Sequence, residues 1–203
     1  MSKDEAFKER HEKRMQKKKE VVDKHIEQAN IEQGIVILIT GNGKGKSTSA
    51  FGTLIRALGY GHKTGLVQFI KGTRRTGEVD FIKQRCPEVE YHAMATGFTW
   101  ETQNWDKDQA AAIQTWEAGK PMLSDPSVNL LVLDELTYML KYGYLDTAEV
   151  CDAIKNRPHM QTVIITGRGA VDELNDLADT ISDLRDEKHA YRAGIKAQEG
   201  VDF

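Results

Sequence analysis

The sequence predicts an α/β fold, with a mostly parallel sheet and helices on both faces. Three observations predict it. Ile35-Val-Ile-Leu-Ile39 is a continuous apolar, β-branched run that leads into the glycine-rich stretch Gly41-Asn42-Gly43-Lys44-Gly45-Lys46-Ser47. Further apolar runs alternate with helical segments along the rest of the chain. A second run, Leu130-Leu-Val-Leu133, ends on the acid pair Asp134-Glu135. Strands buried on both faces read as unbroken apolar runs, and regular alternation with helices implies parallel crossovers.

Residues 3–33 differ from the rest of the chain. They contain no Pro or Gly and are rich in Lys, Glu, Arg and Gln, which favour helix. Phe7, His11, Met15, Val22, Ile26 and Ala29 recur at helical spacing and draw a thin apolar stripe. Lys13, Arg14, Lys17, Lys18 and Lys19 resemble a basic patch. Over the segment, however, nine basic residues face eight acidic ones, which favours a solvated helix of mixed charge over a polyanion-binding arm. Residues 1–33 are therefore expected to form an N-terminal helical arm, and residues 34–203 the α/β domain.

Within that domain, Ile35–Ile39 is expected as the first strand. A helix should follow from Lys46 to Leu58, stopped by Gly59 and Gly61. Thr64–Ile70 and Glu88–Met94 read as strands around a helix at Gly77–Arg85. Asp106–Gly119 is Ala-rich with an acidic first turn, as the helix dipole favours. Asn129–Leu133 is a fourth strand, Thr147–Asn156 a helix ended by Pro158, and Gln161–Thr166 a fifth strand. Val171–Ala178 reads as a helix and Asp179–Arg185 as a sixth strand.

Composition narrows the function classes. At 203 residues the chain suits one domain with a sizeable core. A formal net charge of −3 gives no global attraction to nucleic acid or to an anionic membrane. No apolar run approaches the ~20 residues of a membrane span. Cys86 and Cys151 have no ligand-like spacing and suit a reducing, cytoplasmic setting. His62, His92, His159 and His189 show no metal spacing and read as ordinary surface or core residues.

The chemistry concentrates at the glycine loop. Glycines let backbone N–H groups turn onto an anion without Cβ clashes, and the helix after the loop adds its free N–H groups and positive dipole end. In the phosphate-loop pattern Lys46 neutralises phosphate charge and Ser47 presents its hydroxyl to Mg²⁺, and Gly41, Asn42, Gly43, Lys44, Gly45, Lys46, Ser47 and Thr48 are expected to bind the nucleotide. The loop is one residue short of that pattern: Gly41 and Gly45 enclose three residues, and Thr40 stands one position earlier. Asp134 and Glu135 at a strand end supply carboxylates for the metal, directly or through water; alternatively they form an acid pair at a helix start. Arg168 lies just past a strand end, where α/β ligand sites gather; it contacts phosphate or organises the loop. On these residues a phosphate-loop ATPase or kinase and a nucleic-acid-binding module remain alternatives.

Several separated blocks then resemble the phosphate-loop ATP:corrinoid adenosyltransferases. They are Gly41-Asn-Gly-Lys-Gly-Lys-Ser-Thr48, Gly97-Phe-Thr-Trp-Glu-Thr-Gln103, Leu133-Asp-Glu-Leu-Thr-Tyr-Met139, Ile164-Ile-Thr-Gly-Arg-Gly169, Leu177-Ala-Asp179 and Gly194-Ile-Lys-Ala-Gln198. Ser47 stands where many members have Thr, which preserves the hydroxyl. The resemblance implies a RecA-like fold, a homodimer, and transfer of the 5′-deoxyadenosyl group of ATP to a Co(I) corrinoid with release of triphosphate. It implies Mg²⁺, with Mn²⁺ as a substitute, and a flavoprotein or flavin as electron donor. Ser47 and Glu135 are then expected as metal ligands, with Asp134 behind them. Phe98 and Trp100, otherwise plausible core aromatics, are expected to face the corrinoid and displace its lower axial ligand. The short loop suits a reacting centre at the ribose 5′ carbon.

Overall fold

The computed structural model describes residues 3–70, 76–94 and 104–202. Residues 1–33 and 34–203 form separate compact units. The first unit is a single helix, α1 (Lys3–Gln28). From Phe7 to Gln28 every side chain is exposed, Phe7 and Ile26 at 66% each. The thin stripe therefore buries nothing within its own unit. Local pairs such as Lys13 with Glu9, 2.7 Å apart at i, i+4, contribute only ~0.3–0.5 kcal/mol.

The second unit is a six-stranded sheet in which every pairing is parallel. In chain order its elements are β1 (Val36–Thr40), α2 (Lys46–Gly59), β2 (Thr64–Gln68), α3 (Gly77–Arg85), β3 (Glu90–Ala93) and α4 (Trp105–Gly119). After a 3₁₀ turn at Lys120–Leu123 come β4 (Leu130–Asp134), α5 (Leu136–Lys141), α6 (Thr147–Lys155), β5 (Thr162–Thr166), α7 (Asp172–Leu177) and β6 (Thr180–Asp183). The strand order is β3-β2-β4-β5-β1-β6. Every predicted strand and helix of this unit is present, with ends moved by a few residues. The sheet is wholly parallel where a mostly parallel one was expected. α5 is the unforeseen helix: only Glu135, which makes no side-chain cap, separates it from the β4 run, so no start signal marks it.

Strand alternation builds two cores. Leu131, Leu133, Val163, Ile165 and Leu38 pack on one face against Ala112, Trp116, Leu136, Met139, Val150 and Ile154 of the helices there. Leu130, Val132, Ile164 and Ile39 pack on the other against Ala50, Phe51 and Leu54 of α2 and Val79 and Ile82 of α3. Successive strand residues point to opposite faces, so one apolar run serves both layers. Full burial of each such side chain contributes roughly 1.5–3 kcal/mol.

Because all strands run the same way, their C-terminal ends share one edge. The loop after β1, Gln68, Asp134 and the turn after β5 are brought together there. The register sets Gln68 opposite Asp134 and Ile39 opposite Thr166. β5 therefore separates the loop strand from the acid strand.

Candidate active site at the phosphate loop

The loop leaves β1 through Gly41 and enters α2 through Gly45, at φ +94° and +109°, conformations that favour glycine. Gly45 occupies the N-cap position of α2 and has no side-chain cap. The first N–H groups of a fourteen-residue helix are thus free of a side-chain cap and suited to an anion. Not all loop N–H groups turn inward, as the glycine pattern suggests they would. Gly43 N–H donates to Leu184 O at 2.6 Å. A Cβ at Gly41 or Gly43 would strike backbone atoms of Leu184, at 2.4 and 2.6 Å. These glycines serve the close approach of the segment after β6 as well as the loop's own turn.

Gly43 through Thr48 line a cleft of about 460 Å³, together with Gln68, Asp134, Glu135 and Arg168. Gly41 and Asn42 lie instead in neighbouring depressions beside Tyr138 and Asp183. Lys46 is 6% exposed, and its Nζ donates to Gly43 O at 2.7 Å. Burial lowers its pKa, as does the nearby Arg168 guanidinium, against Glu135 and Asp134, which raise it. A cation held so dry gains strongly from an anionic ligand. Lys44 behaves differently. Its Nζ donates to Val201 O at 2.8 Å and pairs with the Asp202 carboxylate. The C-terminal stretch, with His189, Ala197, Val201 and Asp202, forms one wall of the cleft.

The two acids are not equivalent. Asp134 is 2% exposed, and both its carboxylate oxygens are engaged. Thr166 Oγ1 donates to Oδ1 at 2.7 Å and Gln68 Nε2 to Oδ2 at 3.0 Å. Burial raises its pKa, against hydrogen bonds from Thr166, Gln68 and Ser47 that lower it. Glu135 has φ +60°, the one positive φ at a non-glycine among the described residues. Its N–H donates to Thr166 Oγ1 at 3.0 Å. Such a backbone costs about 1–3 kcal/mol and clusters at functional sites. Its Oε2 is buried with no hydrogen-bond partner among the described residues. Burial, then the Asp134 charge, pushes its pKa up to about 7, against Lys46 and Arg168.

That orphaned oxygen is what a divalent cation would satisfy, and hard oxygen donors suit Mg²⁺ or Mn²⁺. Ser47 beside Asp134 adds a hydroxyl of the right chemistry. Among the described residues no group of three His, Cys, Asp or Glu side chains could hold a metal unaided. A cation here would complete its shell with water and phosphate oxygens, as Mg²⁺ does at phosphate sites.

Arg168 reaches the cleft through a turn held by packing. Gly167 has φ +136°, and a Cβ there would lie 2.1 Å from Thr137 Oγ1. Thr137 Oγ1 in turn donates to Arg168 O at 3.1 Å. Phe98 and Trp100 lie outside the described residues. Thr137, Thr166 and Ala197 fall within the resembling blocks but had no role assigned to them, and Gln68, Val201 and Asp202 belong to no motif of the sequence. A polar side chain ending an apolar strand was the one available signal, at Gln68 and Thr166.

Comparison with known proteins identifies the relatives of this chain. It is 53% identical over 195 residues to the corrinoid adenosyltransferase of Escherichia coli (strain K12), covering 96% of this chain and 98% of that one. The corrinoid adenosyltransferase CobA of Salmonella typhimurium is 54% identical with the same coverage. That of Pseudomonas aeruginosa is 52% identical over 194 residues, 96% of either chain. The profile of the family described as ATP:corrinoid adenosyltransferase BtuR/CobO/CobP matches residues 32–203, and with this agreement over nearly the whole length the chain belongs to the ATP:corrinoid adenosyltransferase family.

Proposed function

We propose that the cleft of this corrinoid adenosyltransferase holds the triphosphate of ATP, from which the 5′-deoxyadenosyl group passes to the Co(I) centre of a corrinoid. The observation that carries the site assignment is buried Lys46, which lines a cleft shared with Arg168 and with Lys44, the last already paired with Asp202. Co(I) is itself a strong nucleophile, so no side chain need act as base. Its electron pair forms the Co–C5′ bond, the C5′–O5′ bond breaks, and that pair leaves on the triphosphate. The protein's work is then to hold cobalt and carbon in line and to stabilise charge on the leaving group. The α2 N-terminus and Lys46 supply the second, with Arg168 beside them. Ser47 and Glu135 would hold Mg²⁺ or Mn²⁺, with Asp134 behind Ser47; the cation adds positive charge next to the departing triphosphate.

Phe98 and Trp100 are proposed to face the corrinoid and exclude its lower axial ligand, which makes Co(II) easier to reduce because an axial donor stabilises the oxidised metal. Residues 34–203 would carry the chemistry, with residues 1–33 as an arm that folds over an occupied site or onto a partner subunit. The exposure of α1 from Phe7 to Gln28 supports a role outside its own unit. A homodimer, a flavin or flavoprotein reductant, a cytoplasmic setting and no nucleic-acid partner complete the proposal. No helix among the described residues is long and apolar enough to cross a membrane.

Incubation with Mg-ATP and chemically reduced cobalamin, followed by product identification, tests the reaction. Adenosylated corrinoid and triphosphate are expected in equal amounts. Release of inorganic phosphate without adenosylation would refute it.

A further inference from the structure

The end of β2 carries a polar chain that the loop chemistry does not use. Gln68 is 6% exposed and stands opposite Asp134 in the β2–β4 register. Its Nε2 donates to Asp134 Oδ2 at 3.0 Å, and its Oε1 accepts from Tyr91 Oη at 3.1 Å. Tyr91 sits on β3, the edge strand on the far side of β2. Three adjacent strands thus contribute one file of side chains, Tyr91 to Gln68 to Asp134. The file ends at the carboxylate that lines the phosphate-loop cleft together with Ser47.

A glutamine amide has a donor end and an acceptor end of nearly the same shape. An acceptor-only carboxylate needs the donor end. Asp134 therefore sets the amide's orientation, and Tyr91 secures it by donating its hydroxyl hydrogen to the opposite end, Oε1. On the β5 side, Thr166 Oγ1 fills Asp134 Oδ1 at 2.7 Å. Each carboxylate oxygen keeps a second lone pair, so Asp134, held from both sides, is placed to accept the hydroxyl hydrogen of Ser47, which lines the same cleft. Ser47 then turns its oxygen lone pairs away from Asp134.

We propose that Tyr91 and Gln68 are positioning residues of the nucleotide site, which fix Asp134 so that Ser47 presents its oxygen to the cation on the triphosphate. The inference rests on the reading of Ser47 and Glu135 as the cation's holders. The Tyr91 hydroxyl reaches Asp134 through Gln68. A bond to a charged group is worth about tenfold in a site it organises. Removal of either residue should therefore weaken the metal-dependent part of ATP binding by about that factor.

The experiment is calorimetric titration of ATP into the full chain, once with chelator and once with excess Mg²⁺. Wild-type protein should bind more tightly with Mg²⁺. Tyr91→Phe keeps the ring and removes one oxygen, and it should lose most of that gain while its affinity in chelator stays at the wild-type value. Gln68→Met should lose the same gain. In the Gln68→Met background, Tyr91→Phe should cost nothing more, because the effect passes through the amide. A Tyr91→Phe protein that keeps the full Mg²⁺ gain overturns the positioning role alone. Losses that add in the double variant overturn the relay from Tyr91 through Gln68. Absence of a Mg²⁺ gain in the wild type overturns the cation reading, and this inference with it. Should Gln68→Met fail to fold, Tyr91→Phe still decides the matter.

Discussion

Replacement of Gly167 by Ala tests the turn that carries Arg168, and its cost can be worked from the structure. The added Cβ would lie 2.1 Å from Thr137 Oγ1, 3.0 Å from Glu135 Oε2 and 3.1 Å from Thr137 Cβ. Thr137 is fully buried and its hydroxyl is tied to Arg168 O, so it has no free space to enter. The backbone at φ +136° costs roughly 1–3 kcal/mol for a residue with a side chain. Overpacking adds roughly 1–3 kcal/mol, for a total of about 4 kcal/mol. Gly143→Ala is the control: its φ is +69°, yet a Cβ there meets nothing within 4 Å. It should cost only the left-handed backbone, ~1–2 kcal/mol. With a urea dependence of about 2 kcal/mol per M, Gly167→Ala should lower the unfolding midpoint by about 2 M and Gly143→Ala by at most about 1 M. ATP affinity should fall in the first variant and hold in the second. Equal midpoints for the two would refute the argument that Gly167 is required by contact with Thr137.

Lys46→Ala should lower adenosyl transfer by about a hundredfold or more, the scale for losing a charge stabiliser of a leaving group, with the melting temperature held; near-normal turnover would remove Lys46 from the phosphate site. Phe98→Ala and Trp100→Ala should slow the reaction more from Co(II) corrinoid than from pre-formed Co(I), measured with the same chemical reductant, and equal losses from both starting states would return these aromatics to packing. Away from the site, Asp125 is held down to about 2 by the Ser127 hydroxyl and then by Lys63. A depressed acid stabilises the fold above its unfolded pKa and loses that contribution as pH falls through the folded one. Asp125→Asn should therefore be less stable than wild type at pH 7, by a small margin because the pair is exposed, and the difference should close between pH 4 and pH 2. A difference independent of pH would refute the pairing.

The inner strands were legible because they are buried on both faces, so Leu130–Leu133 and Val163–Ile165 needed no pattern finer than continuity, whereas the edge strands β3 and β6, half-buried and exposed, were read from their place in the alternation. The loop was legible because its glycines, Lys46 and Ser47 are contiguous. What stayed hidden depends on residues distant in sequence. Gln68 reaches Asp134 across 66 positions, and Lys44 reaches Asp202 across 158. Nothing near either partner announces the other. The left-handed backbone of Glu135 was equally silent, since that conformation is written in sequence by glycine and here falls on an acid. A turn alone accounts for Gly41 and Gly43 in the sequence, but close approach of Leu184 demands them as well, and a packing partner leaves no local mark.

The contact of Lys44 with Val201 O and Asp202 bears on how the protein is handled. Anything joined beyond Asp202 departs from the wall of the phosphate-loop cleft. An affinity tag fused at that end begins within reach of the phosphate loop and brings its own charges to compete for Lys44. Loss of Val201 and Asp202 would release Lys44 from both partners and open that wall, and a preparation with ragged ends would mix the two arrangements. Intact mass, measured on the same sample, belongs beside every kinetic constant obtained from this enzyme.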